Sequence, residues 1–156
     1  MIEIITFTEE NKSYIKTLNY EWLQKYFYVE PHDEEQLSNP QFHIIDKGGY
    51  INFASFNGEI VGTSSLIKIN NTQYELAKMA VTEKYKGAGI GKLLIETCIK
   101  KAIDLKAETL ILFSNTKLHS AISLYKRYGF KEIPLPAELH YERANIMMKK
   151  NLNENL

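Results

Sequence analysis

Lys86-Gly87-Ala88-Gly89-Ile90-Gly91-Lys92 stands between an apolar, strand-like segment, Leu76 to Val81, and a helical one, Leu93 to Leu105. Glycine adopts positive φ at no steric cost and lets the backbone approach a ligand closely. A helix that opens directly after such a loop presents unpaired N–H groups and the positive end of its dipole. That arrangement holds phosphate or pyrophosphate. The alternative is a tight strand-to-helix turn with no ligand. Two nucleotide readings fail on spacing. A Walker A loop needs four residues before its Gly-Lys and then a hydroxyl residue. Here three residues separate Gly87 from Gly91, and Leu93 follows Lys92. The dinucleotide fingerprint needs its third glycine one residue later and sits after an opening strand.

Working outward, the segments ahead of the loop read as a meander. Tyr50 to Phe56 and Ile60 to Ile69 flank Asn57-Gly58, a strong two-residue hairpin signal. Asn70-Asn71 turns the chain into Gln73 to Val81. After the loop helix, Thr109 to Phe113 is a short continuous apolar run, as in a strand buried on both faces. Strand, helix, strand implies a parallel crossover. Leu118, Ala121, Ile122, Tyr125 and Tyr128 share the face of a further helix, which Gly129 ends at its C′ position. Ile133 and Ile146 to Met148 mark two last strands.

At the start, Ile2, Ile4 and Phe7 alternate like a strand. Thr8 reads as an N-cap with Glu9 and Glu10 in the first turn of a helix running to about Tyr26. Asp33 reads as the cap of a short second helix that stops before Pro40. The fold class is therefore α/β with a mixed sheet. The order is strand, two helices, three antiparallel strands, crossover helix, strand, helix, two strands. One domain is expected over residues 1–150, with a polar tail at 151–156 expected to fray.

The 156 residues carry formal net charge zero, with 44% apolar and 24% charged residues. Balanced charge argues against general nucleic-acid binding. No apolar stretch is long enough to cross a bilayer, and the N-terminus lacks a basic, signal-like start. Cys98 is the one cysteine, so neither an intrachain disulfide nor a cysteine-built zinc site is expected. No metal is expected, and the cytoplasm is the default compartment. The sequence leaves a homodimer open.

Lys86 to Gly91 resembles the acyl-CoA pyrophosphate loop of the GNAT superfamily of N-acetyltransferases. The resemblance extends over nearly the whole chain. It takes in the two-helix start, Asn57-Gly-Glu-Ile-Val-Gly62, Lys78-Met-Ala-Val81, and Ala121-Ile-Ser-Leu-Tyr125 followed by Gly129-Phe130. Lys86 departs from the family's usual Gln or Arg. Lysine keeps the charge but lacks the guanidinium fork.

The resemblance implies acetyl-CoA as cosubstrate and an amine as acceptor, joined by direct attack in a ternary complex. Backbone N–H groups of the loop, Gly87, Ala88, Gly89, Ile90 and Gly91, with Lys86 and Lys92 at its ends, would hold the pyrophosphate. The segment Met79, Ala80 and Val81 would pair with the pantetheine arm, and the Val81 N–H would stabilise the oxyanion. Tyr125 matches the tyrosine expected to protonate the departing thiolate. The family often has Asn where Leu118 stands, and Asn115 is a substitute for that pantetheine contact. Glu75, ahead of Val81 on the same strand, is the candidate base. His119, His140 and Glu142 are alternatives, and Glu75 also reads as a solvated strand residue.

For the acceptor, the resemblance points to the first helices and the last strands. These carry Trp22, Tyr26, Phe27, Tyr28, Glu30, Asp33, Glu34, Glu35 and Tyr141. Aromatics with carboxylates suit a small cationic or amino-acid-like amine. An acyl-CoA-binding sensor with little catalysis and an enzyme acting on protein N-termini or lysines are the alternatives.

Overall fold

Asn57 and Gly58 both take positive φ, +51° and +86°, as a type I′ hairpin turn requires. In a computed structural model, described for residues 1–139 and 141–153, this turn joins β2 (Tyr50–Phe56) to β3 (Glu59–Lys68). Asn70 Oδ1 accepts the Thr72 N–H at 2.9 Å and turns the chain into β4 (Gln73–Val81). β2, β3 and β4 form the expected antiparallel meander, and β1 (Ile2–Thr6) adds a fourth antiparallel strand by pairing with β2. Helix α3 (Ile90–Asp104) then carries the chain to β5 (Thr109–Ser114), which runs parallel to β4. β6 (Lys131–Ile133) and β7 (Ile146–Asn151) follow α4 (His119–Arg127), and β7 inserts between β5 and β6. The spatial order is β1-β2-β3-β4-β5-β7-β6.

Strand alternation divides the core between the two faces of the sheet. Ile51 and Phe53 of β2 pack with Ile15 and Leu23 of α1 (Ser13–Tyr26) and Leu37 of α2 (Pro31–Ser38). Ala54, from the other face of β2, packs with Ile90 and Leu94 of α3. Leu110 and Leu112 of β5 join Ile95 and Cys98 of α3 and Phe130 in the largest cluster. No described helix is long and apolar enough to cross a membrane.

Two local expectations are corrected. Thr8 does not cap α1, which begins at Ser13. Thr8 and Asn11 instead exchange side chain-to-backbone hydrogen bonds, closing a turn ahead of the helix. Asp33 is not the cap of α2 but its third residue. Glu30 is the cap and Pro31 opens the helix, with the Glu30 N–H donating to Asp33 Oδ2 at 3.0 Å. A π-helical turn at Gln41–Ile45, which the pattern does not announce, lies between α2 and β2. Of the tail expected at 151–156, Asn151 closes β7 and the Leu152 N–H bonds Glu108 C=O at 2.8 Å. Residues 154–156 lie outside the described residues.

Helix α4 ends in a Schellman motif. The Phe130 N–H donates to Tyr125 C=O and the Gly129 N–H to Lys126 C=O, each at 3.1 Å. Gly129 has φ +90°, and the Phe130 ring packs edge-on against Tyr125, with centroids 5.9 Å apart. The Gly-Phe pair thus anchors the turn that carries Tyr125. Gly129→Ala would keep the contacts but force a side chain into the left-handed region. Urea unfolding should show a loss of about 1–2 kcal/mol.

Candidate active site

At the head of α3, Gly87 (φ +87°) and Gly89 (φ +84°, the N-cap) take the left-handed conformation. A Cβ at either would meet no atom within 4 Å, so the space in front of the loop is open. The first turn of α3 contains no acidic residue, and Lys92 sits in it instead, so no carboxylate there answers the dipole. Among the described residues, the N–H groups of Gly87, Gly89, Ile90, Gly91 and Lys92 have no main-chain acceptor. Ala88 differs from its neighbours and from the expectation. Its N–H donates to Tyr85 C=O at 3.3 Å and it does not line the cleft, so it shapes the loop rather than offering a donor.

The loop opens onto a cleft of about 590 Å³, a volume typical of small-molecule sites. The cleft exists because β4 and β5 part. They pair only from Gln73↔Thr109 to Glu75↔Ile111. Lys78 then forms a β-bulge with φ +54°, and the β3 register shifts between Ser65↔Ala77 and Thr63↔Ala80. Asn19, buried on α1, supports the bulge by donating from Nδ2 to Lys78 C=O at 3.1 Å, while its Oδ1 accepts from Trp22 Nε1 at 3.0 Å. Beyond the bulge, the Thr82 N–H bonds Val61 C=O at 2.9 Å. Strand alternation therefore turns the Val81 N–H away from β3, toward the open edge. Met79, Ala80 and Val81 all line the cleft, as do Lys86, Lys92 and Arg127.

Tyr125 is buried and lines the same cleft from α4. Burial, reinforced by the nearby Cys98, pushes its phenol up to about 12. Leu118, the N-cap of α4, also reaches the cleft. Asn115 lines it too, but its amide is committed internally. Nδ2 donates to Arg143 C=O at 2.6 Å, and Oδ1 accepts the Lys117 N–H at 2.8 Å. One Nδ2 hydrogen of this cleft-lining side chain is thus tied to the returning segment.

The far end of the cleft holds a buried charge cluster. Asp33 is 0% exposed and receives Arg143 through a bidentate fork, Nη1 to Oδ2 at 2.6 Å and Nη2 to Oδ1 at 2.8 Å. Lys78 Nζ reaches the same Oδ1 at 3.1 Å and the Tyr141 hydroxyl at 2.9 Å, and Tyr141 donates to Gln36 at 3.0 Å. Burial works against the Asp33 charge, but Arg143 and Lys78 overcome it and hold the carboxyl below its usual range. Burial lowers the Lys78 ammonium, and Asp33 opposes that shift.

Glu75 sits beside this cluster. It is 8% exposed, which corrects the solvated reading, and it has no hydrogen-bond or ion-pair partner among the described residues. Burial raises its carboxyl to about 7, with the Lys78 charge pulling the other way. Of the alternative bases, His119 and Glu142 do not line the cleft, and His140 lies outside the described residues.

Of the aromatic residues expected around an acceptor, Trp22, Tyr26, Phe27 and Tyr141 line the cleft. Tyr28 does not, and its hydroxyl bonds Glu142. Glu30 is corrected from a substrate contact to a buried structural group. It accepts from the Glu142 N–H at 2.8 Å, the Arg143 N–H at 3.2 Å and Arg143 Nη1 at 3.1 Å. Glu34 and Glu35 face elsewhere, Glu34 toward Lys16, Tyr20 and Ser38. Arg143 and Asn19 carry no local signal in the sequence. A charged residue inside the apolar run Leu76 to Ala80 is the signal that marks Lys78 as part of a buried pair.

The glycine loop, the free end of β4 and the buried Tyr125 line one cleft. The model of the acetyltransferase (GNAT) family matches residues 16–130. This chain belongs to that family. A GNAT-family acetyltransferase from Staphylococcus aureus MU50 superposes with TM-score 0.88 at 26% identity, covering 97% of this chain and 99% of that one. The PaiA N-acetyltransferase of Thermoplasma acidophilum, solved in complex with coenzyme A, shares the fold. Its TM-score is 0.74 at 19% identity, over 97% and 99% of the two chains. The uncharacterised N-acetyltransferase YvbK of Bacillus subtilis is 32% identical over 99 residues, 61% of this chain and 63% of that protein. The chain spans about half the length of the curated relatives it matches.

In this GNAT chain the buried charge cluster depends on Asp33. Asp33→Ala would leave Arg143 and Lys78 buried without their shared carboxylate. Such a loss costs about 3–5 kcal/mol. Chemical denaturation should show a deficit of that size, well above that of Glu34→Ala at the surface.

Proposed function

We propose that this chain transfers an acetyl group from acetyl-CoA to a small primary amine by direct attack in a ternary complex. The single observation that carries the reading is the continuity of the cleft. The free loop amides, the open edge of β4, Tyr125 and Glu75 all line one cavity. Coenzyme A complexes among proteins of this fold support the cosubstrate. The donor set fits it: five N–H groups without main-chain acceptors among the described residues at a helix N-terminus, with Lys86 and Lys92 beside them.

Acetyl-CoA supplies the acetyl group as a thioester. The amides of Gly87, Gly89, Ile90, Gly91 and Lys92 hold its pyrophosphate, and the edge at Met79 to Val81 aligns its pantetheine arm. The Val81 N–H donates where negative charge develops on the acetyl oxygen. Glu75 accepts the proton that the attacking amine gives up. Tyr125, fully protonated below its raised value of about 12, donates a proton to the departing sulfur. A C–N bond forms as the C–S bond breaks. The proton lost by nitrogen and the proton gained by sulfur balance, and Glu75 and Tyr125 reset through solvent.

Two experiments test this reading. Thiol release from acetyl-CoA, measured across a panel of amines, should depend on the acceptor. Tyr125→Phe and Glu75→Gln should each lower kcat by roughly 10²–10⁴-fold with little change in coenzyme A affinity. A base must be ionised, so wild-type kcat/KM should rise with pH through about 7, and Glu75→Gln should abolish that limb. Unchanged turnover in Tyr125→Phe, where chemistry limits the rate, would remove the acid role. Gly89→Glu should abolish coenzyme A binding in calorimetry, because it places an anion and a strained side chain before the loop. Retained affinity would make the loop purely structural.

A further inference from the structure

The acceptor end of the cleft offers one free carboxylate and several free cationic donors. Asp33 cannot serve a substrate ammonium. Its two oxygens already receive Lys78, both arms of Arg143 and the Glu30 N–H. Glu30 is saturated by Arg143 and two amides, and it does not line the cleft. Glu75 is left, more than nine-tenths buried, lining the cleft and without a partner among the described residues.

The aromatic faces are occupied as well. The Arg143 guanidinium lies over Trp22 at 5.5 Å and over Tyr141 at 4.4 Å, and Lys78 Nζ stands 4.6 Å from the Tyr141 centroid. An aromatic cage that would take a polycationic amine is already filled by the protein's own cations.

Those cations keep donors in reserve. Arginine has five N–H groups and a lysine ammonium three. Arg143 uses both on Nη1 and one on Nη2, leaving the side-on edge of Nε and Nη2 without an acceptor among the described residues. Lys78 uses two, leaving one. The two side chains are 12% and 4% exposed, line the cleft and meet at the same Asp33 oxygen. Spare donors on cleft-lining side chains are open to a ligand, and a guanidinium edge matches a carboxylate.

We propose that the acceptor is a free α-amino acid. Its carboxylate is received by the side-on edge of Arg143 and the third N–H of Lys78, and its amine faces Glu75. A second ammonium, as in a polyamine, meets Lys78 and Arg143 and is rejected. The inference rests on the acetyl-transfer reading, and the test separates the two.

The full-length protein is assayed for thiol release from acetyl-CoA with each of the twenty amino acids. Each is paired with its decarboxylated amine and its α-amide, and spermidine is included. The best amino acid should exceed its amine and its amide in kcat/KM by about tenfold or more, and spermidine by more. Arg143→Lys, which keeps the charge and loses the fork, should raise KM for the amino acid with a smaller change in kcat, while coenzyme A affinity reports an intact fold. Equal or faster turnover of the decarboxylated amine, the amide or spermidine overturns the proposal, and the acetyl-transfer reading survives. Calorimetry of amino acids against the coenzyme A-loaded protein covers the remaining case. Carboxylate-dependent binding without thiol release keeps the amino-acid site and removes the catalytic reading, and neither binding nor release overturns both.

Discussion

Lys78 occupies a left-handed conformation inside a strand, and the insertion of that one residue changes what β4 can pair with. Before it, β4 is bonded to β3 on one edge and to β5 on the other. After it, the strand keeps β3 and loses β5. A buried strand edge without partners costs free energy unless something else supplies acceptors and donors. The edge at Met79 to Val81 faces the cleft, where a ligand's amide groups can complete it. The bulge itself is costly for a residue other than glycine, and α1 offsets that cost through the bond from Asn19 to Lys78 C=O. Helix α1, remote from the glycine loop in sequence, is therefore part of what keeps the cleft open.

The same residue organises the charges at the far end. Lys78 and Arg143 converge on Asp33, and Glu30 ties Arg143 back to the cap of α2. Buried ion pairs rarely add net stability over an apolar core, because desolvation offsets their attraction. Here the pairs fix geometry. They clamp the segment at Tyr141 to Arg143 against α2 and hold a guanidinium between Trp22 and Tyr141.

The readable parts of the sequence were those whose cause is local. Asn57-Gly58 dictates its turn by φ alone, and Gly87 and Gly89 require positive φ at a helix start. Gly129-Phe130 closes a Schellman motif within six residues of Tyr125. From these the fold order followed, and so did the cleft's two walls. Other parts have causes that lie far away in sequence. Glu30 and Asp33 look like solvent-facing acids near aromatics until Arg143, 113 and 110 residues further on, claims them. Asn115 looks available until Arg143 C=O claims its amide. The burial of Glu75 could not be read from an alternating strand, because β4 is flanked there by both β3 and β5. Ala88 was misjudged for a smaller reason: a tight turn consumes one amide, and the sequence does not say which.

Asp33 and Glu75 are the same functional group at the same end of one cavity, and their surroundings push them in opposite directions. Asp33, bonded by both cations, stays ionised below the usual carboxylate range. Glu75, desolvated and unbonded, rises to about 7. Carboxylates separated in this way are how a site assigns one group to structure and another to proton transfer at neutral pH. Lys78 acts on both. It completes the shell of Asp33 through a hydrogen bond, and it reaches Glu75 only through its charge, which lowers the carboxyl without saturating it. Were the bulge absent, strand alternation would carry Lys78 to a different relation with both acids. One inserted residue therefore shapes the cleft and also tunes the proton affinity of a carboxyl that lines it.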